Sequence, residues 1–302
     1  MTRRGLLQAG AATLATAAQS PAGALTEFQI ACMTLNYGAY PIERALKGIA
    51  SAGYKYVAWG PRHAGSAGRD TPVLDEKAPA SAARELAAKT RDAGLEPVMM
   101  FGVVYVHTPE AVEVYKRRIE QAAAARVPYV LAFGEIKGPP SDYPDWVRNL
   151  KTLGPLARAA GVTIAIKQHG GNTATGAQCA RIVEEVADEG VKMFYDAGNN
   201  WWYPNVDPLP DIPKCARHIR GFCIKDFRAV PKRTICGAGF GEIDHYKLLG
   251  AVARTGLKMP LACENIFEPY SARPSTPEGI DALARRSREY LESVAAGLRA
   301  AG

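Results

Sequence analysis

The chain has 302 residues, of which 47% are hydrophobic and 22% are charged, and its formal net charge is +7. This composition is that of an ordinary globular protein with a sizeable core, and it excludes a disordered or fibrous chain. The excess positive charge is dispersed along the chain, which is typical of a solvated surface rather than of a nucleic-acid-binding patch.

Residues 1–24 read as an export signal. They begin with Arg3 and Arg4, continue through a weakly apolar Ala/Leu stretch and end with Ala22-Gly23-Ala24. This layout is typical of a cleavable signal, and its start resembles the twin-arginine signals of bacteria. The apolar stretch is too short and too rich in alanine to span a membrane. We therefore predict an exported, periplasmic protein whose mature domain covers 25–302; the alternative is an incidental Arg-Arg before an Ala-rich helix.

From residue 28 onward, short apolar runs alternate with longer amphipathic stretches. The apolar runs predict eight strands, at 28–35, 54–60, 95–104, 128–134, 162–168, 191–197, 219–226 and 258–265, and a last helix follows over about 277–299. Strands that alternate with helices indicate βαβ units and a parallel sheet. Eight units in one chain of this length predict a single-domain (β/α)8 TIM barrel. An open doubly wound sheet is disfavoured because no GxGxxG follows the first strand and no P-loop occurs.

Polar residues cluster at or just beyond the ends of these strands. They are Asn36, Arg62, His63, His107, Glu135, Lys167, His169, Asp196, Asn199, Cys223, Lys225, Asp226 and Glu264. The carboxyl ends of parallel barrel strands meet at one face, where the active sites of such barrels lie. The polar residues that follow strands five to eight therefore predict a site.

Six segments carry a resemblance to a known family over about residues 28–297. They read IERALKGIASAGYKYV, IAIKQHGG, FYDAGN, HIRGFCIKDFR, GAGFGEIDHYKLL and LACEN. This chain resembles the xylose isomerase-like TIM barrels, the sugar-phosphate isomerase/epimerase group related to the apurinic endonucleases. The resemblance implies a barrel, a carbohydrate substrate and a divalent metal held by Glu, Asp, His and Glu at the ends of strands five to eight.

Two of these four family positions are altered in the sequence. By position they hold Lys167, Asp196, Cys223 and Glu264, so that only the Asp and the last Glu match. A protonated ammonium cannot bind a cation, but it can form ion pairs with Asp196 and Glu264. We therefore expect the family's metal site to be absent or remodelled, with Lys167 standing in place of a metal ligand.

The first of three hypotheses is a metal-free enzyme that acts on a sugar, a keto-sugar or a polyol by proton transfer. Lys167, His169 and Glu264 would be its catalytic residues, in an isomerase/epimerase-like or lyase-like reaction. A lysine with a lowered pKa and a neutral histidine are both good bases near neutral pH. A lysine could also form a Schiff base with a keto-sugar.

The second hypothesis is a shifted metal, manganese or zinc, bound by His169, Asp196 and Glu264 with help from His107 or Glu135. The third is a barrel that binds sugar without catalysis. A nucleic-acid partner is disfavoured because the endonucleases use several metal-binding histidines, whereas this chain has five histidines in all. The cofactor is thus either none or a divalent metal, and the sequence indicates no particular oligomeric state.

Five residues are predicted to contact a small-molecule carbohydrate: His107, Asn199, Trp202, Lys225 and Asp226. Aromatic planes stack on the C–H faces of sugars, and the Trp201-Trp202-Tyr203 segment follows a strand on the active face. Two alternatives stay open at this point. The aromatic side chains could simply pack, and Asp226 could hold a loop.

Overall fold

The computed structural model describes residues 23–65 and 68–301, and all but the last two residues of the predicted signal, 1–24, lie outside this range. The predicted (β/α)8 barrel is confirmed. Its strands, called first to eighth below, are Glu27–Met33, Tyr56–Trp59, Glu96–Phe101, Tyr129–Phe133, Thr163–Lys167, Val191–Tyr195, Ile219–Ile224 and Lys258–Cys263. Neighbouring strands pair in parallel, and the first pairs with the eighth to close the barrel.

The α-helices are α1 (Ile42–Ser51), α2 (Ala80–Asp92), α3 (Ala111–Ala125), α4 (Tyr143–Ala159), α5 (Gly176–Val186), α6 (Ala197–Trp202), α7 (Pro208–Asp211), α8 (His245–Gly250) and α9 (Pro277–Ala300). Short 3-10 helices span Thr34–Tyr37, Pro140–Asp142, Ile212–Lys214 and Ala216–His218. Local sequence explains several helix starts: Thr175 and Gln178 form a capping box on α5, and Thr276 caps α9. Among the described helices, none has the length and apolar character needed to cross a bilayer.

Two antiparallel hairpins extend from the carboxyl ends of barrel strands. Arg62–Gly65 pairs with Gly68–Pro72 after the second strand, and Asp226–Arg228 pairs with Thr234–Cys236 after the seventh. Both lie in segments without clear apolar alternation, so periodicity alone predicts irregular loops there. The hairpins cover the end of the barrel at which the predicted site lies.

The barrel interior is filled mainly by small and unbranched side chains. The interior contains four alanines together with larger side chains such as Phe194; the alanines are Ala31, Ala58, Ala165 and Ala262. A second, larger apolar layer lies between the strands and the surrounding helices. All six cysteines are buried and free. The packed interior leaves the polar residues at the carboxyl ends of the strands as the place where chemistry can occur.

Candidate active site

Four consecutive strands bring two lysines and two carboxylates together. Lys167 ends the fifth strand, Asp196 follows the sixth, Lys225 follows the seventh and Glu264 follows the eighth. The Lys167 and Asp196 side chains are 2% and 0% exposed, whereas that of Glu264 is 18% exposed. The site is therefore buried on the strand side and reaches solvent through Glu264.

These four side chains, called the charge cluster below, form a closed set of ion pairs. Lys167 Nζ lies 3.1 Å from Asp196 Oδ2 and 2.5 Å from Glu264 Oε2. Lys225 Nζ lies 3.0 Å from the same Asp196 oxygen and 2.7 Å from Glu264 Oε1. The ion pairs predicted for Lys167 are therefore present, and Lys225 supplies a second cation. The formal charges of the cluster cancel.

The charge cluster holds its members ionised. Burial alone would lower the pKa of Lys167, but Glu264 and Asp196 outweigh burial and raise it well above its ordinary value. Burial would likewise raise the pKa of Glu264, yet Lys167 and Lys225 hold it far below its ordinary value. The expectation of a lowered Lys167 pKa is therefore wrong, because both neighbouring carboxylates favour the charged amine. Lys167 is then neither a neutral base nor a free amine for Schiff-base formation.

The buried residue Gln168 supports the charge cluster through hydrogen bonds with Asp196 and Asn199. Gln168 Oε1 accepts a hydrogen bond from the Asp196 backbone N–H at 2.9 Å, and the Gln168 carbonyl accepts one from Asn199 Nδ2 at 2.8 Å. Asn199 Oδ1 in turn accepts from Lys225 Nζ at 3.1 Å. Asn199, predicted to touch substrate, here orients the cluster. Sequence reasoning missed Gln168, whose only signal was its place directly after Lys167.

The residues present do not fit the divalent metal that the family resemblance implies. Ligand atoms of Asp196, Cys223 and Glu264 lie within 4.8 Å of one another, as a metal site would require. However, the ammonium groups of Lys167 and Lys225 contact both carboxylates, so that a cation there would face two like charges. Burial also raises the pKa of the Cys223 thiol well above its ordinary value, which keeps it in the poorly ligating thiol form.

His169 lies next to the charge cluster, and its Nε2 is the unprotonated ring nitrogen. Its Nδ1 lies 2.8 Å from the Gly134 carbonyl, which fixes the proton on Nδ1. The lone pair on Nε2 then faces the Tyr203 hydroxyl at 3.4 Å. Burial and the charge of Lys167 lower the pKa of His169 below 6.5. At neutral pH His169 is therefore a neutral imidazole, suited to accept a proton.

His107 belongs to a different group of side chains. Its Nε2 lies 3.5 Å from Asp142 Oδ2 and 4.0 Å from Glu135 Oε2, and its ring stacks on Tyr105. The shifted-metal hypothesis requires His107 or Glu135 to complete a site with His169. Ligand atoms of His107, Glu135 and Asp142 lie within 4.8 Å of one another, and no such group of the described residues joins either His107 or Glu135 to His169, which does not favour that hypothesis.

The Asp226 carboxylate is occupied by the loop that follows the seventh strand. Its Oδ1 accepts from the N–H groups of Phe227 at 2.8 Å and Ile243 at 3.0 Å. Its Oδ2 accepts from those of Gly239 at 3.1 Å and Gly241 at 3.0 Å. Asp226 is fully buried. These contacts favour the loop-holding role left open by the sequence over the predicted substrate contact.

The two tryptophans of α6 have different surroundings. Trp201 stacks on Phe227, with ring centroids 5.6 Å apart. Trp202 is 39% exposed, and the Arg233 guanidinium lies 5.7 Å from its ring centroid. Trp201 thus packs, whereas the Trp202 ring stays partly exposed, as a ring that binds a sugar must be.

Comparisons with known proteins agree with this architecture. Residues 46–291 match the xylose isomerase-like TIM barrel family. No curated protein matches the sequence. Among solved structures, L-ribulose 3-epimerase is 17% identical with a TM-score of 0.67, covering 89% of this chain and 95% of its own. A xylose isomerase domain protein from Planctomyces limnophilus is 16% identical with a TM-score of 0.65, covering 91% and 97%. A xylose isomerase-like TIM barrel protein from Mycobacterium smegmatis, solved with magnesium, is 13% identical with a TM-score of 0.66, covering 90% and 97%.

Proposed function

The chain belongs to the xylose isomerase-like TIM barrel family, and from that membership we propose that it is an exported, sugar-acting enzyme that transfers protons without a metal. Its reaction would be isomerase/epimerase-like or lyase-like. The observation that carries this proposal is the position of a neutral imidazole, His169, beside the charge cluster at the carboxyl ends of the strands. The epimerase among its structural relatives supports the sugar as substrate.

The proposed chemistry begins at a carbon next to a sugar carbonyl. His169 Nε2 takes the proton, and the electron pair of the broken C–H bond moves to form an enolate. Two of the three Lys167 ammonium hydrogens have acceptors among the described residues, which leaves one to stabilise the enolate oxygen. Return of the proton to the former carbonyl carbon, with transfer of the neighbouring hydroxyl proton to the enolate oxygen, isomerises the sugar. Protonation of the original carbon by water on its opposite face, with His169 releasing its proton to solvent, epimerises it. In a lyase reaction the enolate would re-form the carbonyl as a C=C bond forms, and the hydroxyl on the next carbon would leave as water with the proton that His169 took.

Solvent exchange tests the proposed function directly. Keto-sugars incubated with the enzyme in D2O should lose the proton signal of the carbon next to the carbonyl, and His169→Asn should abolish this loss. His218→Asn is the matched control, because His218 pairs with Glu184, outside the charge cluster. Because the His169 pKa is lowered, exchange should persist at pH 6.5 and fall only at lower pH. Exchange that survives His169→Asn would overturn the proposed base.

One observation favours a second candidate function, sugar binding without turnover. Lys225 donates hydrogen bonds to Asn199 and Glu264 and forms an ion pair with Asp196, so that its charge is balanced within the cluster. A barrel closed in this way could hold a sugar without reacting with it. A sugar that raises the melting temperature but shows no exchange in D2O would support this candidate over the enzyme.

Export has its own test. The proposal is supported by Arg3, Arg4 and the Ala22-Gly23-Ala24 ending. Changing both arginines to lysine should leave the uncleaved precursor inside the cell, since twin-arginine signals are recognised through the arginine pair. Periplasmic and cytoplasmic fractions probed with one antibody would measure this. Unchanged export of the double variant would contradict the twin-arginine signal.

A further inference from the structure

A cavity of about 240 Å³ opens at the same end of the barrel as the charge cluster. Its walls include Phe101 and Phe133, which end the third and fourth strands, and Arg118, which reaches in from α3. Arg62 and Glu76, from the segment after the second strand, complete the charged part of the lining. Nothing in the proton-transfer chemistry above uses these charged groups.

Arg118 is a buried cation that has no carboxylate partner among the residues that the structure describes. It is 3% exposed, and its Nη1 donates to the Leu74 carbonyl at 3.0 Å and to Gln121 Oε1 at 2.9 Å. Its Nε is buried and has no hydrogen-bond partner among residues 23–65 and 68–301. Burial lowers the pKa of Arg118 to about 10, which leaves the group charged at neutral pH.

A buried guanidinium such as that of Arg118 destabilises the folded protein unless an anion or a hydrogen-bond acceptor pairs with it. Buried charges in proteins are normally paired, and an unpaired donor at a buried cation carries a desolvation penalty. Glu76 and Asp75 act on Arg118 electrostatically, but no carboxylate of the described chain lies within ion-pair distance. A guanidinium that faces a cavity is suited to carboxylate and phosphate oxygens, which it binds through two parallel N–H groups.

The cavity is positively charged overall and adjoins the candidate base. Arg62 and Arg118 contribute two positive charges to its lining and Glu76 one negative charge. Phe133 lines the cavity and also packs against His169, with ring centroids 5.1 Å apart. A ligand could therefore place an anionic group at Arg118 and extend past Phe133 toward His169.

We propose that this cavity is an oxyanion subsite, in which Arg118 binds the carboxylate or phosphate of an acidic sugar whose carbonyl end lies at His169. The identity of the ligand as a substrate rests on the proposed function, whereas oxyanion binding at Arg118 does not. The subsite restricts the substrate class from sugars in general to sugar acids or sugar phosphates.

Calorimetric titration with three matched probes tests the subsite. D-glucitol is neutral, D-gluconate replaces one terminal CH2OH by a carboxylate, and D-glucitol 6-phosphate adds a phosphate. At least one anion should bind about tenfold more tightly than D-glucitol, because a charge-assisted hydrogen bond contributes about that much affinity. The anion that binds more tightly shows whether the subsite prefers a carboxylate or a phosphate. Arg118→Met should remove this preference. Arg117→Met is the matched control, because Arg117 donates to the Glu76 carbonyl from the same helix but does not line the cavity.

Glu76→Gln keeps the test decisive if Arg118→Met does not fold. Removing the one carboxylate in the lining should strengthen anion binding severalfold and leave D-glucitol unaffected. Equal affinity for all three probes, no binding of any probe, or an unchanged preference in Glu76→Gln or in folded Arg118→Met would overturn the subsite. His169→Asn should retain the preference. Exchange that survives this substitution while the preference is retained would mean that the proposed function fails and the subsite stands.

Discussion

Lys167 Nζ lies 2.5 Å from Glu264 Oε2 and thereby links the ends of the fifth and eighth strands across the barrel mouth. Lys225 contacts the other oxygen of the same carboxylate at 2.7 Å. The Glu264 carboxylate is thus bracketed by two cations, which explains why it stays ionised although it is largely buried.

Lys167→Met should destabilise the protein. The substitution leaves Asp196 and Glu264 with one ammonium instead of two in a buried site, and breaking a buried ion pair typically costs about 3–5 kcal/mol. Urea unfolding at neutral pH measures the loss. Lys192→Met is the control, since Lys192 pairs with a carboxylate that is 76% exposed and should change stability by less than about 1 kcal/mol. Equal effects of the two variants would contradict the structural importance of the Lys167 pairs.

Lys167→Glu combined with Cys223→His should create a divalent metal site. The double variant places two further ligands beside Asp196 and Glu264 and removes one of the two opposing ammonium groups. Titration calorimetry should show manganese or zinc binding by the double variant and little by the parent. Asp196→Ala in the double variant should abolish that binding. Tight binding by the parent that Asp196→Ala removes would show that the lysines do not exclude the metal.

The stability that Glu264 provides should disappear at acid pH. Its pKa is lowered in the folded state, so the contribution is complete above the ordinary carboxyl pKa of about 4.3 and is lost as pH falls below that value. The difference in unfolding free energy between the parent and Glu264→Gln should therefore shrink on acidification. Urea titrations at a series of pH values measure it. A difference that is independent of pH across this range would mean that the lysines do not hold Glu264 ionised.

Trp202→Ala should weaken the binding of any sugar ligand with little effect on stability, because the Trp202 ring is partly exposed. Trp201→Ala should do the reverse, since Trp201 stacks on buried Phe227 and its loss leaves a cavity. Thermal-shift titration with sugars reports both melting temperature and affinity. Unchanged affinity in Trp202→Ala would remove this side chain from the substrate wall.

The fold could be predicted because strands and helices differ in their apolar period. All eight predicted strands overlap a barrel strand, and the predicted last helix ends one residue before the end of α9. The hairpin of Asp226–Arg228 with Thr234–Cys236 was not predicted, since its strands are three residues long and their pairing depends on partners that are not neighbours in sequence.

The candidate site was predictable only in part. The positions of Lys167, Asp196 and Glu264 follow from counting strands, and so do their contacts. The pKa direction of Lys167 does not, because it depends on whether burial or the carboxylates dominate. Arg118 was missed, although it shares the buried face of α3 with Val114 and Tyr115 at helical spacing. A charged residue on an apolar helix face was the available signal.

Asp226 fixes the path of its loop through four backbone N–H groups, so that this path depends little on the side chains of the loop. The four hydrogen bonds to this carboxylate come from main-chain N–H groups, which any residue except proline supplies, while the His245 side chain lies 3.9 Å away. Gly241 is constrained, since a Cβ there would lie 2.2 Å from Asp226 Oδ1. Gly239 is constrained as well, since its φ is +80° and a Cβ there would lie 2.8 Å from the Tyr290 ring. Side-chain change is therefore open at the exposed hairpin tip, residues 229–233, which supplies none of these donors. Substrate preference could therefore diverge at this loop without cost to the scaffold that carries it.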